Sequence, residues 1–171
     1  YYVGHDALLS DAVERLEKYS KLLISGIGGC GKSEFARQLL QHMTVSGRYE
    51  RVAYVQYHDS LAESYRTAFP DLSSTSDSAV IEECRRILES NGNSHTLLMI
   101  DNMNQTISED AALIQLCAYG CDVIITSRLV ALDGFDVFAI PSLSPEDSQT
   151  LFRIHMPHAQ TGYDHDLAQL C

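Results

Sequence analysis

Lys21-Leu22-Leu23-Ile24-Ser25-Gly26-Ile27-Gly28-Gly29-Cys30-Gly31-Lys32-Ser33-Glu34-Phe35-Ala36-Arg37-Gln38-Leu39-Leu40 reads as an apolar strand, a glycine turn and a helix, in that order. Its centre, Gly26 to Ser33, satisfies G-x-x-x-x-G-K-[ST] at every fixed position. The context matters more than the pattern. Glycines let the backbone curl with its N–H groups turned inward as an anion cradle, and the helix N-terminus adds partial positive charge. Lys32 is placed to reach β- and γ-phosphates, and the Ser33 hydroxyl to meet Mg²⁺. A plain strand-to-helix turn has no need of Lys-Ser at its end.

Outward from this loop, helical spacing predicts a helix over Asp6 to Tyr19, through Leu8, Leu9, Ala12, Val13 and Leu16. The first strand is expected at Leu22–Ser25, and the helix after the loop at Ser33 to His42. Arg51 to Tyr57 is rich in β-formers and reads as a second strand, with Asp59 as the N-cap of the helix after it. Asp71 to Ser78 reads as a loop, and Ala79 to Ser90 as a helix with Val80, Cys84, Ile87 and Leu88 on one face. Asn91 to Ser94 is a turn, and Thr96–Ile100 a fully buried strand. Ser108 is expected to cap a helix to Ala118, closed by Gly120. Asp122 to Thr126 and Val137–Ile140 supply the last two strands, and Ser144-Pro145-Glu146-Asp147 opens a final helix. Five strands alternating with helices predict an α/β domain with a parallel sheet covered on both faces.

The chain has 171 residues, 45% hydrophobic and 20% charged, enough for one domain with a substantial core. It starts at Tyr1 rather than Met and is expected to be a piece, residues 1–171, of a longer protein. No stretch approaches the roughly 20 apolar residues of a membrane span, and no signal peptide is visible. The net charge of −11, with only Lys18, Lys21 and Lys32 as lysines, lacks the basic footprint of a nucleic-acid binder. Five cysteines without a C-x-x-C pair read as reduced thiols, which points to the cytoplasm.

Asp101 directly follows the apolar run, where an acid at the C-terminal end of a buried parallel strand meets the ligand edge of the sheet. At this distance from the loop it reads as the acid that holds Mg²⁺, alongside Ser33. Asn102 comes next, where hydrolytic enzymes of this type often carry a second carboxylate. An amide orients water but cannot take its proton; alternatively Asn102 only shapes the turn, and either way hydrolysis is expected to be slow. Arg128, after Thr126-Ser127, reads equally by position as a γ-phosphate contact or as a surface arginine paired with an acid. His155, His158, His165 and Cys171 fit no zinc spacing, and Pro157 spoils a helical histidine face. Cys30 is either a packing residue or a thiol activated by the helix N-terminus.

Together these segments resemble the NB-ARC nucleotide-binding domain of STAND signalling ATPases, a group that includes plant disease-resistance proteins, apoptosome adaptors and bacterial regulators. Val3-Gly4-His5 is similar to the family's Val-Gly-Arg against the adenine, with His5 in place of Arg. Gly26–Ser33 matches the P-loop, and Leu97–Asp101 the Walker B strand, while Asn102 departs from the common second Asp. Ile124 to Arg128 resembles the strand that ends in the γ-phosphate sensor, and Leu143 to Phe152 the family's leucine-serine-acid-leucine-phenylalanine helix. The resemblance implies a three-layer P-loop NTPase of the AAA-like group with strand order 5-1-4-3-2. It implies ADP or ATP with Mg²⁺, held by Val3, Gly4, His5, Gly26, Gly28, Gly29, Cys30, Gly31, Lys32, Ser33 and Glu34. Metal ligation falls to Ser33 and Asp101, and the catalytic roles to Lys32, Asp101, Asn102 and Arg128. It further implies partners in a helical lid and winged-helix region of the parent chain, and homo-oligomers of the full-length protein with ATP.

Three functions are compatible with this reading. The leading one is a nucleotide-controlled switch with slow ATP hydrolysis. The second is a small-molecule phosphotransferase, although such kinases carry several lid arginines and only Arg128 and Arg153 follow Arg86 here. The third is a scaffold that binds nucleotide without turnover, motivated by Asn102.

Overall fold

The computed structural model describes residues 6–90 and 96–141. The chain runs α1 (Asp6–Tyr19), β1 (Lys21–Ser25), α2 (Lys32–Val45), β2 (Arg51–Gln56), α3 (Leu61–Ala68), α4 (Asp77–Glu89), β3 (Thr96–Asp101), a 3₁₀ segment (Ala111–Ala118), β4 (Asp122–Ser127) and β5 (Asp136–Ala139). The expected helix from Ser144, the Val3-Gly4-His5 segment and the histidines from His155 onward lie outside the described residues.

The five strands form one sheet in the order β2-β3-β4-β1-β5. Every neighbouring pair is parallel. This is the order implied by the family resemblance, counted from the other edge. Side chains alternate between two cores, as a period of two requires. Leu22, Ile24, Leu97, Met99, Ile124 and Phe138 pack with α1 and α2, through Leu16, Phe35, Leu39 and Met43. Leu23, Val55, Leu98, Ile100, Val123 and Ile125 pack on the other face with Leu61, Tyr65, Val80 and Cys84 of α3 and α4. β1 and β3 are buried along their whole length, which explains the apolar runs Leu22–Ile24 and Leu97–Ile100 at their centres. The edge strand β2 is different. Val55 is buried, but Val52 and Tyr54 are exposed on the α2 side of the sheet.

α2 runs three residues past His42, to Val45, β2 stops at Gln56 and β5 lies one residue earlier than expected; the starts of three further helices also differ from the sequence expectation. Ser60, not Asp59, caps α3, accepting from the Glu63 N–H at 3.2 Å. α4 starts two residues before Ala79, because Ser76 accepts from the Ala79 N–H. The helix expected from Ser108 is a 3₁₀ segment opened by Asp110. The Ser108 hydroxyl is engaged with Thr106, whereas Asp110 accepts from the N–H groups of Ala112 and Leu61 and from the Tyr57 hydroxyl. Leu113, Leu116 and Tyr119 are all buried. Spacing of three suits a helix of three residues per turn, which stacks them on one face. Gly120 does not end this segment in a left-handed turn: the chain leaves through extended Tyr119, and the Gly120 N–H donates to Glu89.

Cys30, Cys84 and Cys121 are buried, Cys117 is exposed, and all four are unpaired. Burial pushes Cys84 up to about 12 and Cys121 up to about 11, so both are protonated packing groups. Among the described residues no helix is long and apolar enough to cross a membrane.

The cap assignment has a direct check. Ser60→Ala is expected to lower unfolding stability by about 1 kcal/mol, whereas Asp59→Ala should change it by less than about 0.5 kcal/mol. Urea midpoints of the two variants measure the difference.

Candidate functional site

The phosphate loop lies between the buried end of β1 and the first turn of α2. Gly31 has φ of 91°, a left-handed conformation in which a Cβ would be strained, and it precedes Lys32 as the N-cap. Gly26 is required for space, since a Cβ there would lie 2.7 Å from Cys30 Sγ and 3.3 Å from the Ile140 carbonyl. Cys30 therefore turns inward, 7% exposed, beneath the loop. No side chain caps the N-terminus of α2. The first intrahelical bond runs from the Phe35 N–H to the Gly31 carbonyl, so the N–H groups of Lys32, Ser33 and Glu34 have no partner within the helix. An uncapped helix start beside a glycine turn is built to receive an anion.

Lys32 Nζ donates to the carbonyls of Gly26 and Ile27 at 2.9 and 2.7 Å, folded back across the loop. Its ammonium thus stands over the cradle on the carbonyls of residues that flank it. Glu34 sits in the first turn of α2, paired with Arg37 at 2.8 Å on the helix surface.

Asp101 ends β3 and is 6% exposed. Its Oδ1 accepts from Ser33 Oγ at 2.7 Å and from Thr126 Oγ1. Its Oδ2 accepts from the Tyr54 hydroxyl at 2.9 Å. The same Tyr54 hydroxyl reaches Gln56 Oε1, and Gln56 Nε2 donates to the Asp101 carbonyl, both at 3.3 Å. Burial, then the bond to Asp101, push the Tyr54 phenol up to about 12, so it remains a donor at neutral pH. The donors and acceptors around Ser33 and Asp101 are all oxygen, the chemistry Mg²⁺ prefers. Among the described residues no group of three or more His, Cys, Asp or Glu converges as a metal cage. Mg²⁺ needs none, since one or two side chains, substrate phosphates and water hold it.

Asn102 adopts the left-handed conformation, φ 63°, and turns the chain sharply out of β3. Its N–H donates to Thr126 Oγ1 at 2.8 Å. Asn104 was not singled out in the sequence, yet it connects the two loops of the site. Its Nδ2 donates to Asn102 Oδ1 at 2.9 Å, and its Oδ1 accepts from the Arg128 N–H at 2.9 Å. An Asn two residues beyond an acidic strand end gives no signal without the register of β3 against β4.

Arg128 is exposed, and its guanidinium lies against the phosphate loop: a Cβ placed on Gly28 would be 3.7 Å from the guanidinium carbon. Among the described residues no carboxylate pairs with it. The structure thus brings together Gly28, Lys32, Ser33, Asp101, Asn102 and Arg128 at one edge of the sheet, where the parallel strands end.

A P-loop strand-turn-helix on β1 and α2, an acid on β3 and β4 inserted between β1 and β3 define a P-loop ATPase fold of the AAA-like type. Solved structures agree on the fold. A signal transduction ATPase with numerous domains and a tetratricopeptide repeat sensor, from Pyrococcus horikoshii, aligns over 99% of this chain and 27% of its own, with TM-score 0.56 and 18% identity. The Aeropyrum pernix ORC2 protein, solved in ADPNP–ADP complexes, aligns over 89% of this chain and 50% of its own, with TM-score 0.57 and 13% identity. The NB-ARC domain model matches residues 6–161, and the chain belongs to the NB-ARC family. The Arabidopsis thaliana protein named "Probable disease resistance protein RXW24L" is 30% identical over 183 residues, covering 94% of this chain and 20% of its own length. The chain thus spans about a fifth of the curated relatives it matches.

Thr126 is fully buried and joins Asp101 to the Asn102 backbone. Thr126→Val keeps the shape but removes the donor to Asp101 and the acceptor for the Asn102 N–H. Leaving buried groups unsatisfied costs about 1–3 kcal/mol, and thermal unfolding of the variant should show a loss of that size.

Proposed function

We propose that this domain is the adenine-nucleotide switch of a STAND-type signalling ATPase. ADP holds an off state, and exchange for ATP permits assembly of the full-length protein with its remaining domains and with further copies of itself. Hydrolysis of ATP, in the cytoplasm, resets the switch slowly. The observation that carries this reading is the Arg128 guanidinium lying against Gly28 of the phosphate loop without a carboxylate partner among the described residues. A switch needs a contact that differs between its two ligands, and a guanidinium at the γ-phosphate end would supply one. NB-ARC membership favours this reading over a small-molecule phosphotransferase.

The parts have distinct tasks. The N–H groups that open α2, with Lys32, hold the β- and γ-phosphates. Ser33 and Asp101 would hold Mg²⁺, and that ion, when bound, neutralises charge on the phosphate oxygens. Asn102 orients water without accepting its proton, which keeps turnover low. Arg128 reads the γ-phosphate. Val3, Gly4 and His5 are assigned to the adenine side, with Glu34 and the loop backbone completing the phosphate side.

Two substitutions test the assignment. Lys32→Ala removes the main positive charge on the phosphates, and titration with a fluorescent adenine nucleotide should show loss of binding; equal affinity of variant and wild type would remove the P-loop assignment. Arg128→Ala should weaken ATP more than ADP. A charged hydrogen bond is worth about 1.5–3 kcal/mol, so the ATP/ADP preference should move by about ten-fold or more. Equal losses for both nucleotides would make Arg128 structural.

A further inference from the structure

Tyr54 stands on the edge strand β2, outside every segment that carries the nucleotide motif. In the register of β2 against β3, Tyr54 lies opposite Met99 and Gln56 opposite Asp101. Residues two apart on a strand share a face, so Tyr54, Gln56 and Asp101 all project to the α2 side. From this diagonal position the Tyr54 hydroxyl reaches Asp101 Oδ2 at 2.9 Å. The other carboxylate oxygen, Oδ1, is taken by Ser33 and Thr126. Tyr54 thus fixes the oxygen that Ser33 and Thr126 leave free. Tyr54 is 44% exposed, so it is not a core residue whose place is set by packing.

We propose that Tyr54 is a positioning residue for magnesium at this site, acting through the Asp101 carboxylate. The inference rests on the proposed nucleotide reading. Asp101 would hold the ion, directly or through water, with a carboxylate whose orientation Tyr54 helps to fix. Without the phenol, Oδ2 loses its described hydrogen-bond donor and the carboxylate is free to rotate about the Oδ1 contacts. Outer partners of a metal-binding carboxylate set its aim, and their loss typically costs about 10–100-fold in metal affinity. Tyr54 touches the carboxylate rather than the phosphates, so its contribution appears only when the ion is present.

The test is a Mg²⁺ titration of ADP binding to the 171-residue chain, comparing wild type with Tyr54→Phe. Phe keeps the ring and removes only the hydroxyl, and thermal unfolding confirms that the variant is folded. The Mg²⁺ concentration at half-effect should rise about ten-fold, while ADP affinity in excess chelator stays unchanged. Coincident Mg²⁺ midpoints would overturn the proposal. Equal losses with and without Mg²⁺ would also overturn it, since that is the signature of a structural role. Wild-type binding of ADP that ignores Mg²⁺ would remove the metal role of Ser33 and Asp101, and this inference with it. Wild type that binds no adenine nucleotide at all would instead mark failure of the function proposed above.

Discussion

The Asp101 carboxylate is the constraint on which the site depends. A buried carboxylate is stable only when its lone pairs are satisfied. Here three hydroxyls do so: Ser33 from α2, Thr126 from β4 and Tyr54 from β2. The strand order makes this set available. β3 lies between β2 and β4, so its terminal acid has a neighbour on each side. Ser33 arrives from a third direction, because the β1 turn delivers α2 above the β4–β1 side of the sheet. With β2 beside β1 instead, Tyr54 would be out of reach of Asp101. Topology and site chemistry are thus one requirement seen at two scales.

Packing, rather than the polar contacts, holds α2 where Ser33 can reach Asp101. Phe35, Ala36, Leu39 and Met43 are buried against the sheet, and Phe35 stacks on Phe138 of β5 at 5.4 Å between ring centroids. Burying a large apolar side chain contributes about 1.5–3 kcal/mol, against about 1 kcal/mol net for a typical hydrogen bond. Several such side chains outweigh any single contact in the loop. The core therefore sets the position of the helix start, and the phosphate loop inherits it. The −11 net charge makes this local arrangement necessary. In a molecule of that sign, anion affinity has to come from local groups, such as the N–H groups that open α2, rather than from the overall field.

The fold was legible because its strongest signals are local. The loop motif, the unbroken apolar runs of β1, β3 and β4, and the helical spacing of α1 each stand in contiguous sequence. Boundaries failed where two neighbouring residues compete for one role. Asp59 and Ser60 both suit an N-cap, as do Ser108 and Asp110, and for the second pair tertiary partners decide. Asp110 prevails because Tyr57 and Leu61, some fifty residues away, donate to its carboxylate. Asn104 and Tyr54 were illegible for the same reason. Their roles rest on the pairing of β3 with β4 and of β2 with β3, which sequence spacing does not encode. The reading of Arg128 was open from position alone, and only the folded chain puts its guanidinium beside Gly28.

Asn102 shows how backbone and chemistry divide the work at one residue. The chain must turn at the end of β3 with φ 63°, a conformation that Asn and Asp tolerate better than other side chains. Backbone demand therefore allows either residue and does not explain the amide. Its partner does not explain it either, because Asn104 Nδ2 would donate to a carboxylate as readily as to the Asn102 oxygen. What distinguishes the two is charge. A carboxylate at this position would add a second negative group next to Asp101, beside a loop made for anions. Its repulsion of a triphosphate would work against the attraction that the two local cations, Lys32 and Arg128, supply. The amide keeps the turn and the hydrogen bond while sparing the bound nucleotide that repulsion, and it gives up a general base in exchange. On the switch reading proposed above, retention of nucleotide matters more than speed of turnover, and the amide would serve retention.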